Sequence, residues 1–262
     1  MRRKWVFMIP IGIAAIIVFA FIGGTAVQLL WNWLLPTSEA IVSLAKPHLD
    51  WVAEEFGLKR ERQHFIPMLV DTEFFQPDPT AKKGDYCLSV GTNEGKDFPT
   101  LVKAFPKNEK LIIVTDAPNA AIIAQHVAPD QQIEVKQAVP IDQLRTYYKE
   151  AKLHIIPLAD GRLGSGHTVL LENMALGRIL IASNAPSMSD YLEDGVNAIV
   201  VETHNVEQMR SKIAEFLAAP ERFAHLGPQA AQWANAHFSS KEFARQLLEI
   251  IAPFTSRKAA TA

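Results

Sequence analysis

YCLSVGTNEGKDFPTL, residues 86–101, is the most informative stretch of this chain. The apolar run Tyr86–Val90 precedes a loop with two glycines, and a helix is predicted at 99–105. A short apolar run bounded by turn signals is typical of a buried strand. The stretch therefore indicates a strand, a glycine-containing loop and a helix, which is the repeating unit of a parallel sheet.

The same alternation continues along the chain. Further strands are predicted at 111–115, 133–137, 153–157, 179–183 and 198–201, and the helices between them at 117–126, 141–151, 168–176 and 187–192. Helices follow at 206–218, 221–237 and 241–251. Strands that alternate with helices at this spacing predict an α/β fold, a Rossmann-like parallel sheet with helices on both faces.

The chain before this region divides into two parts. Residues 38–84 hold a predicted helix at Lys46–Phe56 that ends at Gly57, a strand at 64–69, and a linker rich in proline. We therefore predict an N-terminal segment 1–37, a short region 38–84, the α/β domain 85–252 and a tail 253–262.

The first segment carries no charge from Trp5 through Ser38. Its centre, IPIGIAAIIVFAFIGGTAVQLL (9–30), has the length of about 20 apolar residues that a helix needs to cross a bilayer. We predict a retained transmembrane helix within 1–37, and a cleaved signal peptide is the alternative. Arg2, Arg3 and Lys4 precede it, so the positive-inside rule keeps the N-terminus in the cytoplasm.

Composition excludes several classes of function. The formal net charge of −2 gives no reason to expect a general basic face for nucleic acid. A local basic patch is compatible with this charge. Cys87 is the single cysteine of the sequence, which excludes an intramolecular disulfide and a multi-cysteine metal site. The sequence has no D-x-D and no H-E-x-x-H, so we expect no divalent-metal site.

The loop after Tyr86–Val90 is the first candidate binding site. Gly91 and Gly95 allow a tight turn and a close approach of the backbone to a ligand. Lys96 supplies a point charge suited to a phosphate, and Asp97 or Thr100 can cap the next helix. A capped turn with a solvated lysine is the alternative, and the loop alone does not separate the two.

The second candidate is the loop ADGRLGSGHTVLLENMALG (159–177). Its small residues lead directly into a helix start, and they are Gly164, Ser165 and Gly166. A helix start with its dipole favours an anion such as a diphosphate. Glu172, one turn after Thr168, can accept bonds from sugar hydroxyls, or it is an ordinary surface glutamate. For His167, the alternative to a binding role is an ordinary polar residue in the first turn of the helix.

Other nucleotide and catalytic motifs are not met. The second loop lacks the third glycine of G-x-G-x-x-G, and the chain has no G-x-x-x-x-G-K-[ST]. The stretch L-G-S-G-H lacks the first glycine of G-x-S-x-G, so a hydrolase elbow is not indicated.

Four stretches, in order between residues 38 and 251, together resemble the C-terminal half of the family 4 retaining glycosyltransferases, which have the two-Rossmann GT-B architecture. They are residues 38–58 with 65–77, then 90–105, 139–158 and 164–201. The first is similar to the end of the family's first domain and its crossover. The second resembles its phosphate-binding loop, and the last two resemble the segments that bind the sugar donor.

The resemblance implies a donor site for a nucleotide diphospho-sugar such as a UDP- or GDP-sugar. Lys96 would hold the diphosphate, and Glu172 matches the second glutamate of the family's E-x7-E motif, which binds the ribose. Val139 would meet the base through its backbone. The remaining residues implied to line the donor are Gly91, Thr92, Gly164, Ser165, Gly166, His167, Thr168 and Val169.

Two positions depart from the family's pattern. The first glutamate of E-x7-E is replaced by Gly164, and the arginine that often follows the first loop glycine is replaced by Thr92. The family's N-terminal domain, which binds the acceptor and supplies a catalytic histidine, is matched only by its last helix and crossover. The catalytic residues are therefore unknown from the sequence.

The resulting hypothesis is a membrane-attached hexosyltransferase without metal or other cofactor. It would transfer a hexose with retention to a lipid or polysaccharide acceptor, and a partner chain or a second copy would complete the cleft. Activated sugars imply a cytoplasmic domain at the inner membrane, which conflicts with the positive-inside rule. The alternatives are a non-catalytic, membrane-tethered nucleotide-binding or interaction module and a truncated, inactive transferase.

Overall fold

The computed structural model describes residues 8–11, 14–18, 31–32, 34–35, 37–92, 94–160 and 165–259, with only the backbone given for 8–11, 14–18 and 255–259. The chain divides into two compact units. The first unit is Met1–Met68 with Lys241–Ala262, and the second is Leu69–Ser240. The domain boundaries proposed at residues 37, 84 and 252 stay predictions.

The first unit is built on a small sheet of four described strands in the order β1-β2-β3-β4. These strands are β1 (Met8–Ile11), β2 (Ala14–Val18), β3 (Ala40–Ser43) and β4 (Gln63–Phe65). The first pair is antiparallel, and the other pairs are parallel, with Ile16 opposite Ala40 and Ile41 opposite Gln63. The short strand β3 is buried along its whole length and was not predicted.

Helix α1 (Lys46–Phe56) has the bounds that its apolar spacing predicts. Proline occupies its first turn, and the helix ends at Gly57, which has a φ of 63°. Such a left-handed residue is the usual end of a helix, and glycine adopts it without strain. Val52 packs with Leu35, Ile41 and Leu58 in the core of this unit.

The transmembrane helix predicted within 1–37 is not confirmed at the residues that the structure describes. Residues 8–11 and 14–18 form strands, and no described helix is both long and apolar enough to cross a membrane. An apolar run alone does not separate a helix from a buried strand, and β-branched residues such as Ile16, Ile17 and Val18 favour strands. The remaining residues up to 30 lie outside the described part of the chain.

The second unit contains, in its described residues, a six-stranded parallel sheet. The strands are β5 (Tyr86–Val90), β6 (Lys110–Val114), β7 (Gln132–Lys136), β8 (Leu153–Ile156), β9 (Leu180–Ser183) and β10 (Ile199–Val201). All six lie within one residue of the predicted bounds. The Rossmann-like parallel sheet predicted from the sequence is confirmed.

The helices of this unit follow the strands in alternation. They are α2 (Phe98–Ala104), α3 (Ala117–Ala124), α4 (Ile141–Glu150), α5 (His167–Ala175), α6 (Val206–Ala218) and α7 (Leu226–His237). The chain ends with α8 (Ser240–Ala259), most of which groups with the first unit. The core between sheet and helices includes Leu101, Leu111, Ile155 and Ile213.

Three predicted helices differ clearly from the structure. The helix predicted at 241–251 continues to Ala259. The helix predicted at 187–192 is a single 3-10 turn, Pro186–Met188. The helix predicted at 221–237 is divided into a 3-10 turn at Pro220–Phe223 and α7. Pro228 explains the division, because it has no amide hydrogen to donate to the residue one turn earlier.

The order of the sheet, β10-β9-β8-β5-β6-β7, fixes where a ligand can bind. The chain starts in the middle at β5, moves outward through β6 and β7, and returns to the other side of β5 with β8. The loops after β5 and β8 therefore leave the sheet in opposite directions and open a crevice between them. Ligands of open α/β sheets bind in this crevice.

Candidate functional site

The loops after β5 and β8 pair with each other at the crevice. Lys96 and Leu158 form an antiparallel bridge. The backbone N–H of Asp97 donates to Pro157 O at 3.1 Å, and the N–H of Ala159 donates to Gly95 O at 3.1 Å. The two candidate loops of the sequence are thus held side by side by main-chain hydrogen bonds.

Glycines make this close approach feasible. A Cβ atom on Gly91 would lie 2.3 Å from Lys96 Cε, so the lysine side chain passes directly over that glycine. Gly95 has a φ of 91°, and a Cβ there would lie 3.0 Å from Ser165 Cβ. Gly166 also has a φ of 91°, and its Cβ would lie 2.9 Å from Lys96 Nζ. Lys96 is therefore in van der Waals contact with the start of α5.

Lys96 supplies a positive charge to the crevice. Its Nζ is buried and has no hydrogen-bond partner among the described residues. Burial lowers the pKa of Lys96 to about 8, because the charged form loses its hydration. The N-terminal end of α5, with its positive dipole end, lies beside the same ammonium. Lys96 Nζ thus lies at the start of a helix without a hydrogen-bonded carboxylate in the described part of the chain.

Glu172 lies on the same helix, four residues after the exposed Thr168. Tyr148 Oη donates a hydrogen bond to Glu172 Oε2 at 2.9 Å. Burial raises the pKa of Glu172 to about 7, and the bond from Tyr148 acts in the opposite direction. The carboxyl group is half-buried, and its second oxygen has no hydrogen bond in the described structure.

Other predicted donor residues are distributed around these groups. Thr92 is exposed in the first loop, and Ser165 is half-buried, with its hydroxyl 3.4 Å from Glu94 O. Val169 is half-buried in the first turn of α5. Gly164 lies outside the described residues.

Val139 and His167 have different surroundings. Val139 is half-buried between β7 and α4, two strands from β5 at the edge of the sheet. The His167 side chain is buried, with Nε2 2.9 Å from Ser187 O and its ring 4.6 Å from the Tyr191 ring. This imidazole packs into the protein, so only the backbone of His167 is available to a ligand in the crevice.

Sequence reasoning missed two residues near the site. In the sequence, Tyr148 is one residue within the helix predicted at 141–151, and only the fold brings it to Glu172. His204, in the loop after β10, lies with Nδ1 2.7 Å from Asp97 Oδ2. Neither residue carries a local motif by which the sequence could have indicated its position.

A separate cavity of about 850 Å³ lies in the first unit, between β4 and α8. Its lining includes Glu39, Arg62, His64, Gln246 and Phe254. None of the predicted donor residues lines it. No group of three or more His, Cys, Asp or Glu side chains that could hold a metal ion occurs among the described residues.

The fold and the crevice define a Rossmann-like domain in which Lys96 Nζ is buried near the switch point of the sheet and has no hydrogen-bond partner among the described residues. Residues 85–219 match the family model described as Glycosyl transferases group 1. The match covers about half of the chain, and the chain belongs to this family.

The curated relatives are longer than this chain. A GDP-mannose-dependent alpha-(1-6)-phosphatidylinositol monomannoside mannosyltransferase of Mycolicibacterium smegmatis is 25% identical over 226 residues, which cover 76% of this chain and 58% of the relative. A D-inositol 3-phosphate glycosyltransferase of Thermobispora bispora is 27% identical over 118 residues, or 45% of this chain and 27% of the relative. The chain thus spans little more than half the length of the first of these relatives.

Solved structures are similar in fold. A glycosyltransferase from Rickettsia africae has a TM-score of 0.75 at 15% identity, with 90% of this chain and 69% of that chain covered. HepE of Anabaena, solved with UDP and glucose, has a TM-score of 0.75 at 14% identity, with 87% and 67% covered.

Proposed function

We propose that the crevice between the loops after β5 and β8 binds the diphosphate of a nucleotide-sugar donor. The supporting observation is the buried Lys96 ammonium, which has no partner among the described residues and lies beside Gly166. A buried charge without a partner is unfavourable, so such a group is normally paired with an anion. A diphosphate at the start of α5 would supply that anion and would also interact with the helix dipole.

Glu172 and Val139 extend the proposal along the nucleotide. The second carboxylate oxygen of Glu172 can accept hydrogen bonds from ribose hydroxyls while Tyr148 holds the first one. The backbone at Val139 would meet the base at the outer strand. Because Lys96 and the helix dipole supply positive charge, we propose that donor binding needs no metal ion.

The donor, acceptor and stereochemistry are proposals as well. GDP-mannose is the first donor to test, because relatives named for their dependence on it align with most of this chain. UDP-glucose is the second, since the fold is shared with a protein solved with UDP and glucose. The proposed reaction is transfer of a hexose with retention to a lipid or polysaccharide acceptor. A partner chain or a second copy would complete the cleft.

Titration calorimetry of Lys96→Ala with GDP, UDP and the two nucleosides tests the diphosphate site. We expect the affinity for either diphosphate to fall by about tenfold or more, because a charge-assisted hydrogen bond of about 1.5–3 kcal/mol is lost. Guanosine and uridine, which lack phosphate, should bind as they do to the parent. Lys103→Ala is the matched control, since it removes the same charge from an exposed position on α2.

Equal nucleotide affinity in the parent and in Lys96→Ala would show that the diphosphate lies elsewhere. Donor hydrolysis and sugar transfer are assayed on the same samples with GDP-mannose and UDP-glucose. Binding without either reaction would support a nucleotide-binding module in place of a transferase.

A further inference from the structure

Helix α4 carries an apolar stripe, which consists of Ile141, Leu144 and Tyr148. These residues are spaced i, i+3 and i+7, so their side chains lie on one face of the helix. Tyr148, near the end of the helix, is fully buried, and Leu144 is half-buried. Ile141, the first residue of the helix, is 51% exposed. The apolar stripe therefore leaves the core at the first turn of α4.

The first turn of α4 lies at the edge of the sheet where the donor is proposed to bind. Only residues 137–140 separate the end of β7 from Ile141. The strands β5, β6, β7 and β8 are parallel, so their carboxyl ends share one edge, and ligands of such sheets bind there. Ile141 is therefore at the same edge of the sheet as Lys96 and Gly166.

The buried end of the stripe shows which way this face of α4 is turned. Tyr148 Oη donates to Glu172 Oε2 at 2.9 Å, so the face is turned toward α5. Ile141 lies seven residues earlier, which is about 10 Å along the helix axis in the direction of the carboxyl edge. The exposed isoleucine is thus on the side of α4 that faces the helix of the proposed ribose-binding residue.

The spacing of the strands suits a nucleotide that extends from Lys96 to this position. Neighbouring strands lie about 4.8 Å apart, so β7, two strands from β5, is about 10 Å away from it. A ribose held at Glu172 would bridge this distance between the diphosphate and the base. The base would then lie at the first turn of α4, beside Val139.

We infer that Ile141 packs against one face of the donor's nucleobase. This inference rests on the proposed function and adds a side-chain contact to the main-chain contact proposed for Val139. The edge of a base is polar, whereas its flat faces are covered by apolar or aromatic side chains in proteins that bind it. A purine has two rings and covers more of an isoleucine than a pyrimidine does. The contact therefore favours GDP over UDP.

Ile141→Ser tests the contact by titration calorimetry with GDP, UDP and guanosine. We expect GDP to bind about fivefold more weakly, because the base no longer buries part of an apolar side chain. Guanosine carries the same base and should lose the same factor, and UDP should lose less. Ile141→Val keeps an apolar side chain and should retain most of the affinity for GDP.

Two further variants separate the base contact from other effects. Ile122→Ser is the matched control, because Ile122 lies on α3 and is 41% exposed, and this variant should bind GDP as the parent does. Lys96→Ala should weaken GDP and leave guanosine unchanged, whereas Ile141→Ser should weaken both. The melting temperatures of Ile141→Ser and Ile122→Ser should be similar, since each variant loses a half-exposed isoleucine from a helix.

The outcomes distinguish failure of the inference from failure of the proposed function. If the parent chain binds neither GDP nor UDP, the proposed function is wrong. If the parent binds GDP and Ile141→Ser binds it equally well, the base contact is wrong and the diphosphate site stands. A loss of GDP affinity without a loss for guanosine, or together with a much lower melting temperature than that of Ile122→Ser, would also overturn the contact. A loss for UDP as large as that for GDP would overturn the preference for a purine.

Discussion

At the scale of single residues, Glu172 combines a proposed binding role with a cost to stability. Burial raises its pKa to about 7, from an ordinary value of 4.5. Between these two values the folded chain retains a proton that the unfolded chain has released. The free energy of unfolding therefore falls as the pH rises through this window and stays at its lower value above about pH 7.

Glu172→Gln should remove this cost. Glutamine still accepts the hydrogen bond from Tyr148 but carries no charge, so at pH 8 we expect a gain of about 2 kcal/mol in the free energy of unfolding. Near pH 4.5 the gain should almost vanish. Urea denaturation at the two pH values measures the difference, and Glu54→Gln, on an exposed face of α1, is the control. A gain of equal size at both pH values would contradict the raised pKa.

At the scale of elements, the start of α5 depends on Gly166 for two separate reasons. Its φ of 91° disfavours any side chain, and the space that a Cβ would fill is taken by Leu158 Cδ2 and Lys96 Nζ, each 2.9 Å away. Gly195 has a φ of 72° but no atom within 4 Å of the corresponding position. A comparison of substitutions at the two glycines therefore separates the effect of backbone strain from the effect of crowding.

We expect Gly166→Ala and Gly195→Ala both to lose about 1–2 kcal/mol of stability through backbone strain. Only Gly166→Ala displaces Lys96, so only this variant should also bind GDP or UDP more weakly. Thermal denaturation and calorimetry measure the two effects. Equal nucleotide affinity in both variants would show that nucleotide binding does not depend on the position of Lys96 beside α5.

Elements also show how far local patterns extend. The bounds of α1 and of the strands β5 to β10 were predictable, because each is defined by its own apolar spacing and by the turn residues beside it. The strands β1 and β2 were not, since a long apolar run suits a membrane helix and a buried strand equally well. The break between the 3-10 turn and α7 depends on Pro228, whereas the helix predicted from the sequence continued through this residue.

At the scale of the whole molecule, the proposed donor site lies entirely within the second unit, Leu69–Ser240. A ligand stabilises the unit that binds it by mass action, by about 2.7 kcal/mol at a concentration 100 times its Kd. Calorimetric scanning with saturating GDP or UDP should therefore raise the melting temperature of the second unit. A shift confined to the first unit, where the 850 Å³ cavity lies, would assign nucleotide binding to that cavity.

The sequence by itself determined the alternation of strands and helices, the glycines and lysine of the first loop, and the family to which the chain belongs. These features are local, because turn chemistry and apolar spacing act over a few residues. Only the tertiary structure decided which side chains meet. The contact of Tyr148 with Glu172 spans 24 residues, and that of Asp160 with His204 spans 44. Such pairs depend on the order of the strands in the sheet, and so does the burial of Lys96 Nζ without a hydrogen-bond partner in the described part of the chain.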